Sequence, residues 1–401
     1  MASKRIDPHT LGVLEFSGIR DILATFAASD LGRDAALALY PSVDRRWAKT
    51  RVAETSELRA VLDRGERVPM AGLKDIRPAI KGFGKKQTVF EPAQLLEIGD
   101  TLAACARLRI FLTNLEPGQS VHLAAMGRKL GDFRAIVEEI HRCIGGDERV
   151  CDKASEKLRD IRRQIGILSE RIHREFANII SAPHLRAALE NDKFLMRHGR
   201  PVVAIKANYR QSLRGTVLDR SNTGATLYVE PDALVELSNE MEDALFEERK
   251  EVGRILWQLT KIVLDEQERI LDSVKMLALV DLTYAKSRLS VAYAMTAPEI
   301  RSDGALHLRQ ARHPLLMEWA SRQKGCHVDQ LTDEVVPIDA RLGDDFDLLL
   351  VTGPNTGGKT VALRTAGLLA LMFQSGMHVP VAPGSIMPIF RDVLADIGDE
   401  Q

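Results

Sequence analysis

This 401-residue chain is short of several things, and each shortage excludes a class of protein. Aromatic residues make up 5%, which is lean for an all-β protein and ordinary for a helical one. No apolar run reaches the roughly 18 residues that a membrane helix needs. The first eight residues, Met1 to Pro8, have no apolar signal-peptide core. Neither sign of charge prevails, with 55 Lys and Arg against 56 Asp and Glu. That balance argues against a disordered tail and against a basic nucleic-acid coat, so any nucleic-acid contact must come from a local patch. The four cysteines, Cys105, Cys143, Cys151 and Cys326, show no CxxC spacing and read as buried or free thiols of a reducing cytoplasm.

What is present is helical pattern and charge, at 45% hydrophobic and 28% charged residues. The length suggests two to three domains. Residues 1–150 read as one helical domain, with Leu14, Ile19, Ile22, Leu23 and Phe26 near one face. Val52, Leu58, Val61 and Leu62 mark a second helix, and Leu95, Leu96, Ile98, Leu102 and Leu108 another. Over 151–192 a long amphipathic helix carries Leu158, Ile161, Ile165, Leu168, Ile172, Phe176 and Ile179, close to a heptad seam. A second long helix spans about Pro231 to Ala294 (domain limits 232–297), with Leu237, Met241, Leu245, Val252, Leu256, Leu259, Val263, Ile270, Val274 and Leu277 on its seam. Two such helices suggest an antiparallel pair of arms.

The segment between them, 193–231, reads as a small β insert, from Pro201–Lys206 and Ala225–Glu230. It is also basic. Lys193, Arg197, Arg200, Lys206, Arg210, Arg214 and Arg220 face a single acid, Asp219, so seven minus one gives +6 between Lys193 and Arg220. At an arm tip that excess is a candidate phosphate-backbone contact; a solvated face is the plainer reading. No base-reading motif accompanies it.

Residues 298–401 change pattern again. Leu306–Arg309, Asp347–Thr352, Met377–Val381 and Ile389–Asp396 are strand candidates, and Thr360–Ser375 is a helix. Strand, glycine loop and helix in this order begin an α/β nucleotide-binding domain. The loop Gly353-Pro354-Asn355-Thr356-Gly357-Gly358-Lys359-Thr360 fits G-x-x-x-x-G-K-[ST]. Its glycines let backbone N–H groups approach phosphates, and the following helix adds its positive end. In such a loop Lys359 reaches the β- and γ-phosphates of ATP and the Thr360 hydroxyl ligates Mg²⁺. His313 and His378 sit in no triad-like setting and read as turn or core residues. The fold class is therefore mainly α with a small β insert, plus the start of an α/β P-loop (ABC-type) ATPase domain.

The wording of the loop, Thr352 to Thr360, is narrower than the general motif and resembles the MutS family. Ala311-Arg312-His313-Pro314-Leu315 resembles the run entering the MutS ATPase domain. Val202–Lys206 with Ser221–Pro231, Leu14-Glu15-Phe16, Gly72–Pro78 and Ala395–Gln401 resemble the second bacterial branch, the MutS-two type. That branch begins directly with the lever-like core and lacks the mismatch-reading domain. The resemblance implies an ATP-driven homodimeric clamp acting on branched DNA, in suppression of homologous recombination, or on collided ribosomes and their rRNA, which it splits. In the intact family ATPase activity needs a Walker B acid further downstream, and endonuclease activity an Smr domain. Neither is in these 401 residues, and Asp396, Asp399 and Glu400 match the loop before Walker B, so the chain reads as C-terminally truncated against the family. By analogy Val335–Ile338 covers the adenine, although plain strand packing fits equally. The alternative to the clamp is a non-enzymatic nucleic-acid- or partner-binding fragment without ATP turnover.

Overall fold

The computed structural model describes residues 6–84, 88–116, 118–301, 303–328, 334–353 and 358–396. The described chain is mainly helical with two small antiparallel sheets. The helices are α1 (Pro8–Val13), α2 (Phe16–Thr25), α3 (Asp30–Leu37), α4 (Arg45–Asp63), α5 (Arg77–Gly82), α6 (Pro92–Thr113), α7 (Val121–Lys129), α8 (Arg134–Cys143), α9 (Glu156–Ile180), α10 (Asp232–Asp265), α11 (Gln267–Ala292), α12 (Pro314–Lys324) and α13 (Lys359–Gln374). The strands are β1 (Leu195–Arg197), β2 (Arg200–Lys206), β3 (Gly215–Arg220), β4 (Thr226–Pro231), β5 (Leu306–Ala311) and β6 (Ile338–Leu342). Two compact units divide the chain: residues 1–82, 97–137 and 266–401 form the first, and 83–96 with 138–265 the second. No helix among the described residues is long and apolar enough to cross a membrane.

The first unit is built around α11 and α13, each of which buries half of its residues. Phe16, Leu23, Leu368, Leu371 and Phe373 are fully buried in one apolar cluster with Ala285 and Leu289. Polar side chains tie the helix ends into it. Asp281, wholly buried on α11, accepts hydrogen bonds from Ala28 N and Ser29 N at 2.9 Å each and from Ser29 Oγ at 2.5 Å. Its carboxylate thereby closes the entry to α3, where Ser29 is the N-cap. Gly32 permits this approach, because a Cβ there would lie 2.2 Å from the Asp281 Cγ. At the far end of α13, buried His378 bridges α4 and α11, with Nε2 2.8 Å from Ser56 Oγ and Nδ1 2.7 Å from Ser290 Oγ. Burial holds its pKa down to about 4. Both histidines singled out in the sequence are thus buried among helices, His378 at this junction and His313 at the N-cap of α12.

In the second unit α9 and α10 run antiparallel. Lys157 pairs with Glu247 and Arg162 with Glu248, while Arg171 lies 3.8 Å from Glu240. The α9 seam follows the sequence pattern, with Leu158, Leu168, Ile172 and Phe176 buried. The α10 seam follows it only in its C-terminal part. Leu259 and Val263 of that seam are buried, but Leu245 is exposed, and Leu234, Ser238, Ala244, Glu251 and Ile255 are buried where the pattern did not place them. Glu251 tolerates this because Arg254 grips both its oxygens, and Ser155 Oγ donates at 2.8 Å. These contacts, Arg254 foremost, hold its carboxyl down to about 2. The stretch read as one helix from Pro231 to Ala294 is also two, since the backbone leaves helical geometry at Glu266.

A four-stranded antiparallel sheet in the order β1-β2-β4-β3 lies between the two helices in sequence. The β1–β2 hairpin turns on His198 and Gly199, both at positive φ (52° and 78°), as a two-residue hairpin loop of the twist-matching kind demands. Gly215 lets β3 start flush against β4, where a Cβ would sit 2.1 Å from Glu230 O. Phe176, Val203, Ile205, Leu227, Val229 and Leu234 form the core beneath.

The strands expected beyond residue 345 are a correction. Leu306–Arg309 does become β5, but its partner is antiparallel β6. Asp347–Thr352 forms no strand, with Leu348 80% and Leu350 78% exposed. A continuous apolar run becomes a buried strand only when neighbouring strands accept its ladder and layers cover both faces. Among the described residues no strand pairs with it. Met377–Val381 is buried but makes only one isolated bridge, Thr296 to Val379, and Ile389–Asp396 is irregular.

Candidate functional site

Four residues of the glycine loop, Pro354, Asn355, Thr356 and Gly357, lie outside the described residues, as do Asp399 and Glu400. The others are placed. Gly358 caps α13 in left-handed backbone (φ 80°), and Lys359 opens a 16-residue helix. The Lys359 ammonium donates to the Gly353 carbonyl. Thr360, next along, is exposed at the same helix end.

Beside this helix end opens a groove of about 930 Å³. Lys359, Gly358 and Thr352 form one part of its lining, and Leu316, Trp319, Val335, Val336, Ile338 and Val361 an apolar part. Trp319 is 62% exposed, a large ring left uncovered on α12. His313 also lines the groove, and its Nδ1 is buried without a hydrogen-bond partner. Burial depresses its pKa, with Arg364 adding to the effect and Glu15 opposing it. Cation and helix N-terminus at one part and apolar side chains at another suit a ligand that is an anion joined to a flat ring. ATP is one ligand of that description: Lys359 and the α13 N-terminus would hold its phosphates, while Thr360, the residue that would offer an oxygen to Mg²⁺, is exposed at the same helix end and does not line the groove. No group of three acidic, His or Cys side chains suited to a metal comes together among the described residues. Val335, Val336 and Ile338 were legible in the sequence as candidate ring contacts; Trp319 and Leu316 were not, and the only signal was an aromatic on a short helix after Pro314.

The seven basic residues of the insert divide. Arg200 is spent internally, donating to buried Glu230 at 3.0 Å, to Asn239 at 2.7 Å and to Glu242 at 3.1 Å. Arg210 donates to Leu213 O at 2.8 Å and to Gly215 O. Arg197 lies over the Tyr228 ring, 4.2 Å from its centroid, and pairs with Asp219 at 3.2 Å. Lys206 donates to Ala187 O at 3.2 Å. Lys193, Arg214 and Arg220 are exposed and make no ion pair among the described residues. Sequence counting could not separate the four with an internal partner, exposed Lys206 among them, from the three without an ion pair.

A mainly helical chain, with an antiparallel two-helix arm, a small β insert between its helices and a lysine-headed groove, is the class defined so far. No family model matches the chain. Curated relatives do. It is 38% identical over 98% of its length to "Endonuclease MutS2" of Geobacillus sp. (strain WCH70), covering 49% of that protein. It is 38% identical over 99% of its length to "Endonuclease MutS2" of Symbiobacterium thermophilum, covering 48%. Against "Putative endonuclease MutS2" of Bacillus subtilis (strain 168) it is 35% identical over 98% of its length, again covering 48%. The chain thus spans about half the length of these relatives. Identity at this level across nearly every residue shows that it is homologous to the MutS2 branch of the MutS family.

Proposed function

We propose that the chain binds ATP with Mg²⁺ in the groove at the head of α13, and a nucleic-acid phosphate backbone on the β insert. The observation that carries the reading is the groove, which joins Lys359 and a helix N-terminus to an uncovered apolar wall in a chain homologous to MutS2 proteins. The nucleotide's charge is met by Lys359 and by the first amides of α13. Its base lies against Trp319, Val335 and Val336, which exclude water from one face of the ring. On the insert Lys193, Arg214 and Arg220 meet phosphates by charge, so the target is chosen by shape rather than base sequence. Branched DNA and structured RNA, ribosomal RNA included, both present such a surface. The wider roles of such a clamp, in limiting recombination and splitting collided ribosomes as a homodimer, are the family's and are proposed here with it.

Nucleotide titration tests the first half. ATP should change the emission of exposed Trp319, and Lys359→Ala should remove most of the affinity with the circular-dichroism spectrum unchanged. Equal binding by the two proteins would refute the assignment of the groove.

A further inference from the structure

We propose that Cys143 and Cys151 are a redox pair, which a small-molecule disulfide such as glutathione disulfide converts into an intramolecular disulfide. The two cysteines end the two limbs of a short turn between α8 and the 3₁₀ turn that precedes α9. Ile144 and Val150 form an antiparallel bridge within it, and Gly145 N donates to Arg149 O at 2.8 Å. The same register sets Cys143 directly opposite Cys151, and Cys151 N donates to Cys143 O at 2.9 Å. Opposed residues of this kind have Cα atoms about 5.5 Å apart, inside the range of about 4.4–6.8 Å that a disulfide spans. Cys143 lies in the last turn of a helix, so its own amide does not close the second bond of the pair, and the backbone is not locked there as in a full ladder.

The Cys151 side chain already faces the shared backbone, while Cys143 Sγ lies 3.6 Å from Glu139 Oε1, one turn back on α8, and must turn about its Cα–Cβ bond to meet the Cys151 sulfur. Cys151 Sγ lies 3.3 Å from Cys143 O and 3.1 Å from Arg142 O. Both thiols are unbridged here. Their surroundings divide the labour. Cys143 is 2% exposed, and burial, with Glu139 beside it, pushes its thiol up to about 11. Cys151 is half-buried on the wall of a surface cleft of about 960 Å³. Asp152 and Glu248 of that cleft are paired with Arg162, which leaves the exposed side chains of Arg149 and Lys153, beside Asp147, to meet the carboxylates of glutathione. Cys151 is therefore the attacking thiol and Cys143 the resolving one. In the first exchange the Cys151 thiolate attacks one sulfur of glutathione disulfide, its S–S bond breaks, and one glutathione thiolate leaves. In the second the Cys143 sulfur, its proton passing to solvent, attacks the mixed disulfide and releases the second glutathione. Two thiols are oxidised and one glutathione disulfide is reduced to two glutathiones.

The full chain, incubated with glutathione disulfide, acid-quenched and alkylated, is mapped by trypsin without reduction. Cleavage after Arg142, Arg149 and Lys153 leaves peptides 143–149 and 150–153, each with one of the two cysteines. The expected product is these two peptides travelling as one linked species, separated by a reductant, with Cys105 alkylated. Cys143→Ser should stop at a stable glutathionyl group on Cys151. Cys151→Ser should leave Cys143 as a free thiol. A wild type that halts at the mixed disulfide on Cys151, or in which both peptides remain unlinked thiols, overturns the proposal; neither result depends on whether the variants fold.

Discussion

The exposed cations of the β insert give the sharpest forecast. The triple substitution Lys193→Gln, Arg214→Gln and Arg220→Gln removes three exposed basic side chains of the insert that make no ion pair among the described residues; Lys206, also exposed, is left in place because it donates to Ala187 O. Exposed positions of this kind shift stability by about 0.5 kcal/mol or less, so the folded population should not change. Every cation withdrawn from a duplex phosphate makes the fall of log affinity with log salt shallower by about 0.9, so the three together remove about 2.7 from the slope. Between 50 and 200 mM salt the wild type should therefore lose about 40-fold more affinity than the variant. Fluorescence anisotropy with a labelled branched duplex, at four or five salt concentrations, reads both slope and intercept. Parallel lines of equal affinity would refute the assignment. Arg200→Gln and Arg210→Gln serve as the contrast: they take donors from Glu230 and from the Leu213 and Gly215 carbonyls, and should destabilise the sheet first.

Three further outcomes follow from the first unit. Asp281→Ala strips acceptors from Ala28 N, Ser29 N and Ser29 Oγ; these donors lie at the surface, where water can replace part of what is lost, so at about 0.5–1.5 kcal/mol per hydrogen bond the change should cost about 1–3 kcal/mol, read by urea denaturation. Folding stability should fall as pH drops from about 6.5 towards 4. His378 takes up a proton near 6.5 when unfolded but not until about 4 when folded, so its contribution is present above 6.5 and lost below. His378→Gln should flatten that limb of a stability–pH curve, and an unchanged slope would place the pH dependence elsewhere. Trp319→Ala should weaken ATP more than inorganic triphosphate, measured by competition, because only ATP brings a ring to stack.

Much of the architecture was legible in the sequence where one physical cause dominated. The α9 seam follows from spacing alone, since Leu158, Leu168, Ile172 and Phe176 recur at helical intervals and are its buried side chains. The strands at Pro201–Lys206 and Ala225–Glu230 follow from β-branched runs, whereas their hairpin partners β1 and β3, short or broken by charge, did not show. Spacing failed where a polar residue was satisfied by a distant partner. Glu251 reads as surface until Ser155, 96 positions away, is seen to meet it. The charge count of the insert failed for the same reason: Glu230 and Glu242, outside the counted window, absorb Arg200. The strand at Leu348 was misread because apolar character records a need for neighbours without supplying them. Lys359 and Thr360 at a helix start were legible, since glycine then lysine ahead of an apolar helix is a local pattern.

The uncovered run Leu348-Leu349-Leu350-Val351 has a consequence for how the protein behaves in a tube. Four adjacent, largely exposed β-compatible side chains without proline or charge have no strand partner among the described residues, and a like segment from another molecule can dock there in cross-β fashion. Asp344, Asp345 and Asp347 stand on one side as charged gatekeepers; the other side runs into Thr352 and Gly353, with none. Turbidity should therefore rise with concentration and with salt that screens those aspartates, and a single Leu350→Lys exchange should clear it while leaving the helical spectrum intact.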